Sequence, residues 1–65
     1  MGEHKETGLI YGDAYVFAWQ GRELTGVLVS VRGAECRCTM RTRARNYIVA
    51  PQDVLRSVRD RPPAA

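Results

Sequence analysis

The feature that most restricts this chain is its punctuation. Strand-like runs of five to eight residues alternate with turn residues along most of its length. Tyr11-Gly12-Asp13 reads as a turn, and AYVFAW (14–19) after it is rich in aromatic and β-branched residues. Gln20-Gly21-Arg22-Glu23 supplies a hairpin connection, LTGVLVSV (24–31) follows, and Arg32-Gly33-Ala34-Glu35 turns the chain again. CRCTMRT (36–42) leads through a short basic turn to NYIVA (46–50). Pro51-Gln52-Asp53 has the form of a single helical turn, because proline suits a first helical position. VLRSV (54–58) closes the series. Only residues 51–60 show helical spacing, and ten residues are marginal for a helix.

Five short strands at this spacing predict an all-β domain, a small five-stranded antiparallel barrel with a one-turn helix before the last strand. Within residues 24–31, period-two alternation puts Val27, Val29 and Val31 on one face and Leu28 and Ser30 on the other. Gly26 marks a bulge or sharp bend, which a closed small barrel needs. The domain is expected over residues 9–59. Residues 1–8 read as a flexible N-terminal tail, and 60–65, with consecutive prolines, as a disordered C-terminal tail.

The run GDAYVFAW…GVLVSV…YIVAPQDVLRSV is similar to SH3-like barrels of the Tudor and KOW kind. That resemblance implies that Gly12-Asp13 opens the first strand and that a one-turn helix joins the last two. The stretch VFAWQGRELTGVLVSV also resembles the first Sm motif, through Gly21, Gly26 and Leu28. Together the likenesses cover residues 9–58. Two departures stand out. The Asp and Asn of the Sm base pocket have no counterpart where Arg32, Gly33 and Cys36 stand, and the Val-Gln-Ile-Tyr run of the small-barrel type II dihydrofolate reductases is absent.

Sixty-five residues make one domain with a thin stability margin, so either a frayed terminus or self-association into a homo-oligomer is compatible with it. The longest uncharged apolar run is too short to span a bilayer, and the chain opens on no signal-peptide pattern. Two cysteines make no disulfide framework, which fits a reducing, cytoplasmic setting.

Charge is distributed unevenly. Residues 1–35 carry −2 and residues 36–65 carry +5, and nine of the ten basic residues are arginine. Arginine favours planar, bidentate contacts to phosphate or carboxylate, although a GC-rich coding bias explains its excess equally well. In ECRCTMRTRARNY (35–47), Arg37, Arg41, Arg43 and Arg45 share parity with no acid between Glu35 and Asp53. An extended strand aligns them on one face, whereas a turn around 43–46 splays the last two from its tip. Either arrangement attracts phosphates by Coulomb force and counterion release. The expected contacts are Arg37, Arg41, Arg43, Arg45 and Tyr47, with Arg22 and Arg32 as additional ones. Tyr47 is the candidate exposed ring for base stacking. The alternatives are an acidic protein partner, or a solvated face that protects a strand edge.

The remaining residue types argue against chemistry. Cys36, Cys38 and Met40 fall on one strand face, as small apolar residues lining a core do. A metal would need more ligands than Cys-x-Cys supplies, and His4, the only histidine, falls in the expected tail. Tyr15, Phe17 and Trp19 share a face that either fills the core or forms a platform or oligomer contact. No nucleophile has a base beside it, no carboxylate pair sits on a rigid element, and Gly21, Gly26 and Gly33 form no phosphate loop. The expectation is a non-enzyme without cofactor or metal.

Overall fold

The computed structural model describes residues 2–58. The C-terminal tail expected at 60–65 lies outside them. Five strands form one antiparallel sheet: β1 (Ala14–Trp19), β2 (Arg22–Arg32), β3 (Arg37–Arg41), β4 (Asn46–Val49) and β5 (Val54–Ser57). Their order across the sheet is β4-β3-β2-β1-β5. A single 3-10 turn, Pro51–Asp53, precedes β5, with proline in its first turn as the sequence predicts.

The β1–β2 hairpin closes through two residues. Trp19 pairs with Arg22, and Gln20 and Gly21 between them both have positive φ (49° and 78°). Two left-handed residues make the hairpin turn whose twist matches its strands, and the second is the glycine that tolerates it.

The sheet curls strongly. Adjacent strands lie about 4.8 Å apart, so β1 and β4, three places apart, would be separated by roughly 14 Å in a flat sheet. Instead, the Trp19 and Phe17 rings of β1 reach Tyr47 of β4 with centroid separations of 5.0 and 5.6 Å. Two register shifts accompany this curvature. Leu28 pairs with Met40 but Ser30 with Thr39, so Val29 is the extra residue in β2. Val16 pairs with Arg56 but Phe17 with Val54, so Leu55 is the extra residue in β5. Such insertions bend a strand and increase its twist.

The bulge at Val29 corrects the face assignment of residues 24–31. Strict alternation groups Val27, Val29 and Val31, but the inserted residue reverses parity part-way along the strand. Leu28 is buried, Val31 packs on the core after the bulge, and Val29 is left 46% exposed. Gly26 itself pairs in regular register with Tyr15, so the bulge expected there falls at Val29, and the glycine serves close packing. A Cβ there would lie 3.0 Å from the Arg41 carbonyl oxygen and 3.1 Å from Phe17 Cε1. Absence of a side chain is what lets β2 cross the phenylalanine ring.

The core consists of Tyr15, Phe17, Leu28, Cys38, Met40 and Val49. The aromatic face of β1 is therefore the inner one, with Trp19 half-buried at its end. The N-terminal residues differ from the expected tail. Glu3 and Ile10 form a β-bridge, Tyr11 N–H donates to the Gly2 carbonyl (3.0 Å) and His4 N–H to that of Leu9 (2.7 Å). This loop is held to the core by Leu9 and Tyr11 and by the buried Tyr15 hydroxyl, which accepts from Ile10 N–H at 2.9 Å. Gly8, at φ 74°, allows the reversal.

Candidate functional site

β3 has the alternation its sequence predicts from residue 37 onward. Cys38 and Met40 are fully buried, while Arg37 and Arg41 are exposed on the other face. Cys36 departs from that pattern. It precedes the strand in a left-handed conformation (φ 56°), half-buried, with its thiol 3.8 Å from Glu6 Oε1. Burial, followed by the Glu6 charge and hydrogen bond, raises the Cys36 pKa. Burial likewise raises that of Cys38, with Cys36 as a lesser cause.

The arginines do not form one surface. Arg37 and Arg41 stand four positions apart along β3, about 13 Å of strand. Arg41 stands where β3 enters the β3–β4 turn, opposite Val27 and Asn46. Thr42 builds that turn. Its hydroxyl oxygen accepts from the N–H groups of Ala44 and Arg45 (both 3.2 Å) and donates to the Arg45 carbonyl (2.8 Å), and Thr42 N–H donates to the same carbonyl (3.0 Å). A hydroxyl satisfying local backbone groups in this way stiffens a short turn. Arg43 and Arg45 are consequently presented, exposed, from a defined loop. Among the described residues, Arg41, Arg43 and Arg45 have no acidic partner in ion-pair range. Arg41, Thr42 and Arg43 line a 400 Å³ depression together with Ala14 and Gly26.

The opposite end of β3 is electrostatically mixed. Arg32 and Arg37 face each other directly across β2 and β3, a like-charge pairing that is unfavourable on its own. Glu35 relieves it, with Oε1 3.0 Å from Arg37 Nε. Arg37 and Glu35 also line a 460 Å³ pocket with Trp19, Gln20 and Asp53, so a second acid shares that surface. Arg22 lies elsewhere, at the β1–β2 hairpin, five residues along β2 from the Val27 that faces Arg41.

Tyr47 is not the free ring expected from its position beside the basic turn. It is half-buried, edge-on to Trp19, tilted against Phe17 and covered by the Arg45 guanidinium at 4.7 Å from the ring centroid. Parity explains this outcome: Tyr47 and the buried Val49 share the inward face of β4, and Asn46 and Ile48 take the outward one. Arg45 gains a cation–π contact but commits part of its reach to the protein. The strongest basic presentation thus narrows to Arg41 and Arg43, with Arg45 beside them.

The sequence reading missed a different grouping. The folded-back N-terminal loop brings His4 and Glu6 to Cys36, and an imidazole nitrogen, a carboxylate oxygen and Sγ lie within 4.8 Å of one another. No local spacing reports this, because about thirty residues separate the two segments. No family model, curated protein or solved structure matches the chain. Among the described residues, no helix is long and apolar enough to cross a membrane.

Proposed function

We propose that this chain is a non-catalytic nucleic-acid-binding module of SH3-like, Sm-like architecture, acting in the cytoplasm. The strand order and the helical turn before β5 support the barrel assignment. The free thiols of Cys36 and Cys38 support a reducing compartment. The observation that carries the functional reading is the Thr42-stiffened turn, which holds Arg43 and Arg45 beside Arg41 without an acidic partner among the described residues. Guanidinium groups placed this way contact phosphates and confer little sequence preference, because among the described residues no element is shaped to enter a major groove. Arg37 and Arg32 contribute less, since Glu35 already neutralises part of their charge.

The test is fluorescence anisotropy with labelled mixed-sequence single-stranded RNA and DNA, then duplex, over a salt series. Binding should weaken with salt, and the triple change Arg41→Gln, Arg43→Gln, Arg45→Gln should weaken it at least tenfold. Absence of binding at low salt would overturn the reading.

A second reading, a protein-interaction or self-assembly module, is favoured by apolar side chains on the two outer strands of the sheet. The edge strands β4 and β5 expose Ile48 (55%) and Leu55 (45%). An edge strand carrying an exposed apolar side chain is a template on which another chain can pair. An acidic protein bound at the arginine turn, or a second copy at an edge, would appear as a mass increase by light scattering without oligonucleotide.

A further inference from the structure

The His4, Glu6 and Cys36 grouping combines an imidazole, a carboxylate and a thiol, three different metal-donor types supplied by two loops. We propose that these three side chains bind one divalent ion of the zinc class and thereby clip the N-terminal loop to the β2–β3 turn. This inference stands apart from the nucleic-acid reading and uses none of the same residues.

The donor set selects the ion class. A thiolate with an imidazole and a carboxylate suits borderline-soft Zn2+ and not Mg2+ or Ca2+, which prefer oxygen alone. Two anionic ligands also neutralise the ion's charge. Around tetrahedral zinc, with bonds of about 2.0–2.3 Å, ligand atoms sit roughly 3.3–3.6 Å apart. Cys36 Sγ and Glu6 Oε1 are already at 3.8 Å, and the whole set spans 4.8 Å at most. Contraction by about an ångström completes the site, which a half-buried His4, an exposed Glu6 and a half-buried Cys36 can supply by side-chain rotation.

His4 is already oriented. Its Nδ1 lies 3.0 Å from Thr7 Oγ1 and accepts from Thr7 N–H at 3.3 Å. With Nε2 as the ligating nitrogen, the ring proton sits on Nδ1 and is donated to the Thr7 hydroxyl, an outer-shell hydrogen bond that replaces the one Nδ1 now accepts from Thr7 N–H and fixes the imidazole. The Cys36 thiol proton, now shared toward Glu6, leaves to solvent as the thiolate forms. Glu6 and Cys36 also line a 580 Å³ pocket together with Thr7 and Glu35. That space leaves room for a water at the fourth position, the arrangement of an open three-ligand site.

The test is titration of the full chain, under reducing conditions, with Co2+ as the spectroscopic probe and Zn2+ as competitor. One Co2+ per chain should bind with a thiolate-to-metal charge-transfer band, and Zn2+ should displace it. Cys36→Ser should abolish the band, His4→Ala should weaken binding more than tenfold, and Thr7→Val should weaken it about tenfold. All three positions lie outside the core, so an unchanged amide NMR spectrum in the strands certifies folding. The proposal is overturned by absence of the band at excess Co2+, by a band that survives Cys36→Ser, or by one ion bound per two chains.

Discussion

The two ends of β3 carry the same residue type in the same alternation, yet they differ as surfaces. At the β2–β3 end, Arg37 faces Arg32, pairs with Glu35 and shares a pocket with Asp53. At the β3–β4 end, Arg41, Arg43 and Arg45 project from a hydroxyl-stiffened turn with no acid in ion-pair range among the described residues. Parity alone cannot distinguish these ends. What separates them is which turn each enters and what the curled sheet brings alongside. A basic stripe in sequence is therefore an upper bound on a basic patch in space.

The largest expected effect breaks the frame on which both ends stand. Phe17 is fully buried and supports Tyr47 from across the curl. Phe17→Ala should cost about 4 kcal/mol, enough to leave much of so small a domain unfolded at ambient temperature, as urea denaturation would show. Gly26→Ala acts locally at the β3–β4 end. Its new Cβ meets the Arg41 carbonyl, Phe17 and Thr42, so a loss of about 2 kcal/mol in the same assay is expected, with amide shifts centred on residues 41–43.

Charge substitutions then sharpen the contrast between the ends. The triple glutamine change at Arg41, Arg43 and Arg45 should lower oligonucleotide affinity at least tenfold and reduce the single-strand salt slope by about two, at roughly 0.7 per lost phosphate contact. The pair Arg32→Gln and Arg37→Gln should change affinity by less than threefold, because Glu35 already offsets this end. Thr42→Val removes the hydroxyl that joins Ala44 and Arg45 while keeping the shape. About 1 kcal/mol of stability should be lost, and the turn amides should exchange faster with solvent.

The smallest effect concerns pH. Burial raises the Cys38 pKa in the fold, so the folded state disfavours the thiolate. The associated stability is fully present below the unfolded thiol's pKa and is lost as pH rises through that range toward the folded value. Urea midpoints should therefore fall on the alkaline side, and Cys38→Ala should show a flatter profile there.

Much of the fold was legible in the sequence because strand breaks are local. Tyr11-Gly12-Asp13, Gln20-Gly21 and Pro51 stand at the turns they predict, and Cys38 and Met40 point inward as alternation requires. Long-range consequences were not legible. The bulge at Val29 is defined by the register against β3, and no residue type at that position announces it. Tyr47 faces inward because Trp19 and Phe17 arrive from the far side of the sheet. His4 meets Cys36 only because the N-terminal residues fold back under Tyr15. Candidate surfaces were legible as residue types, and their grouping was set by tertiary contacts.

The central claim, that one end of β3 is the binding surface, is tested most directly by proton–nitrogen NMR. The labelled protein would be titrated with mixed-sequence single-stranded RNA and DNA at two salt concentrations. Shifts concentrated on residues 41–45 and the facing amides of Thr25–Val27, diminished by salt and weak around residues 32–37, are the predicted result. Equal perturbation at both ends, or an unchanged spectrum at low salt, would contradict the account.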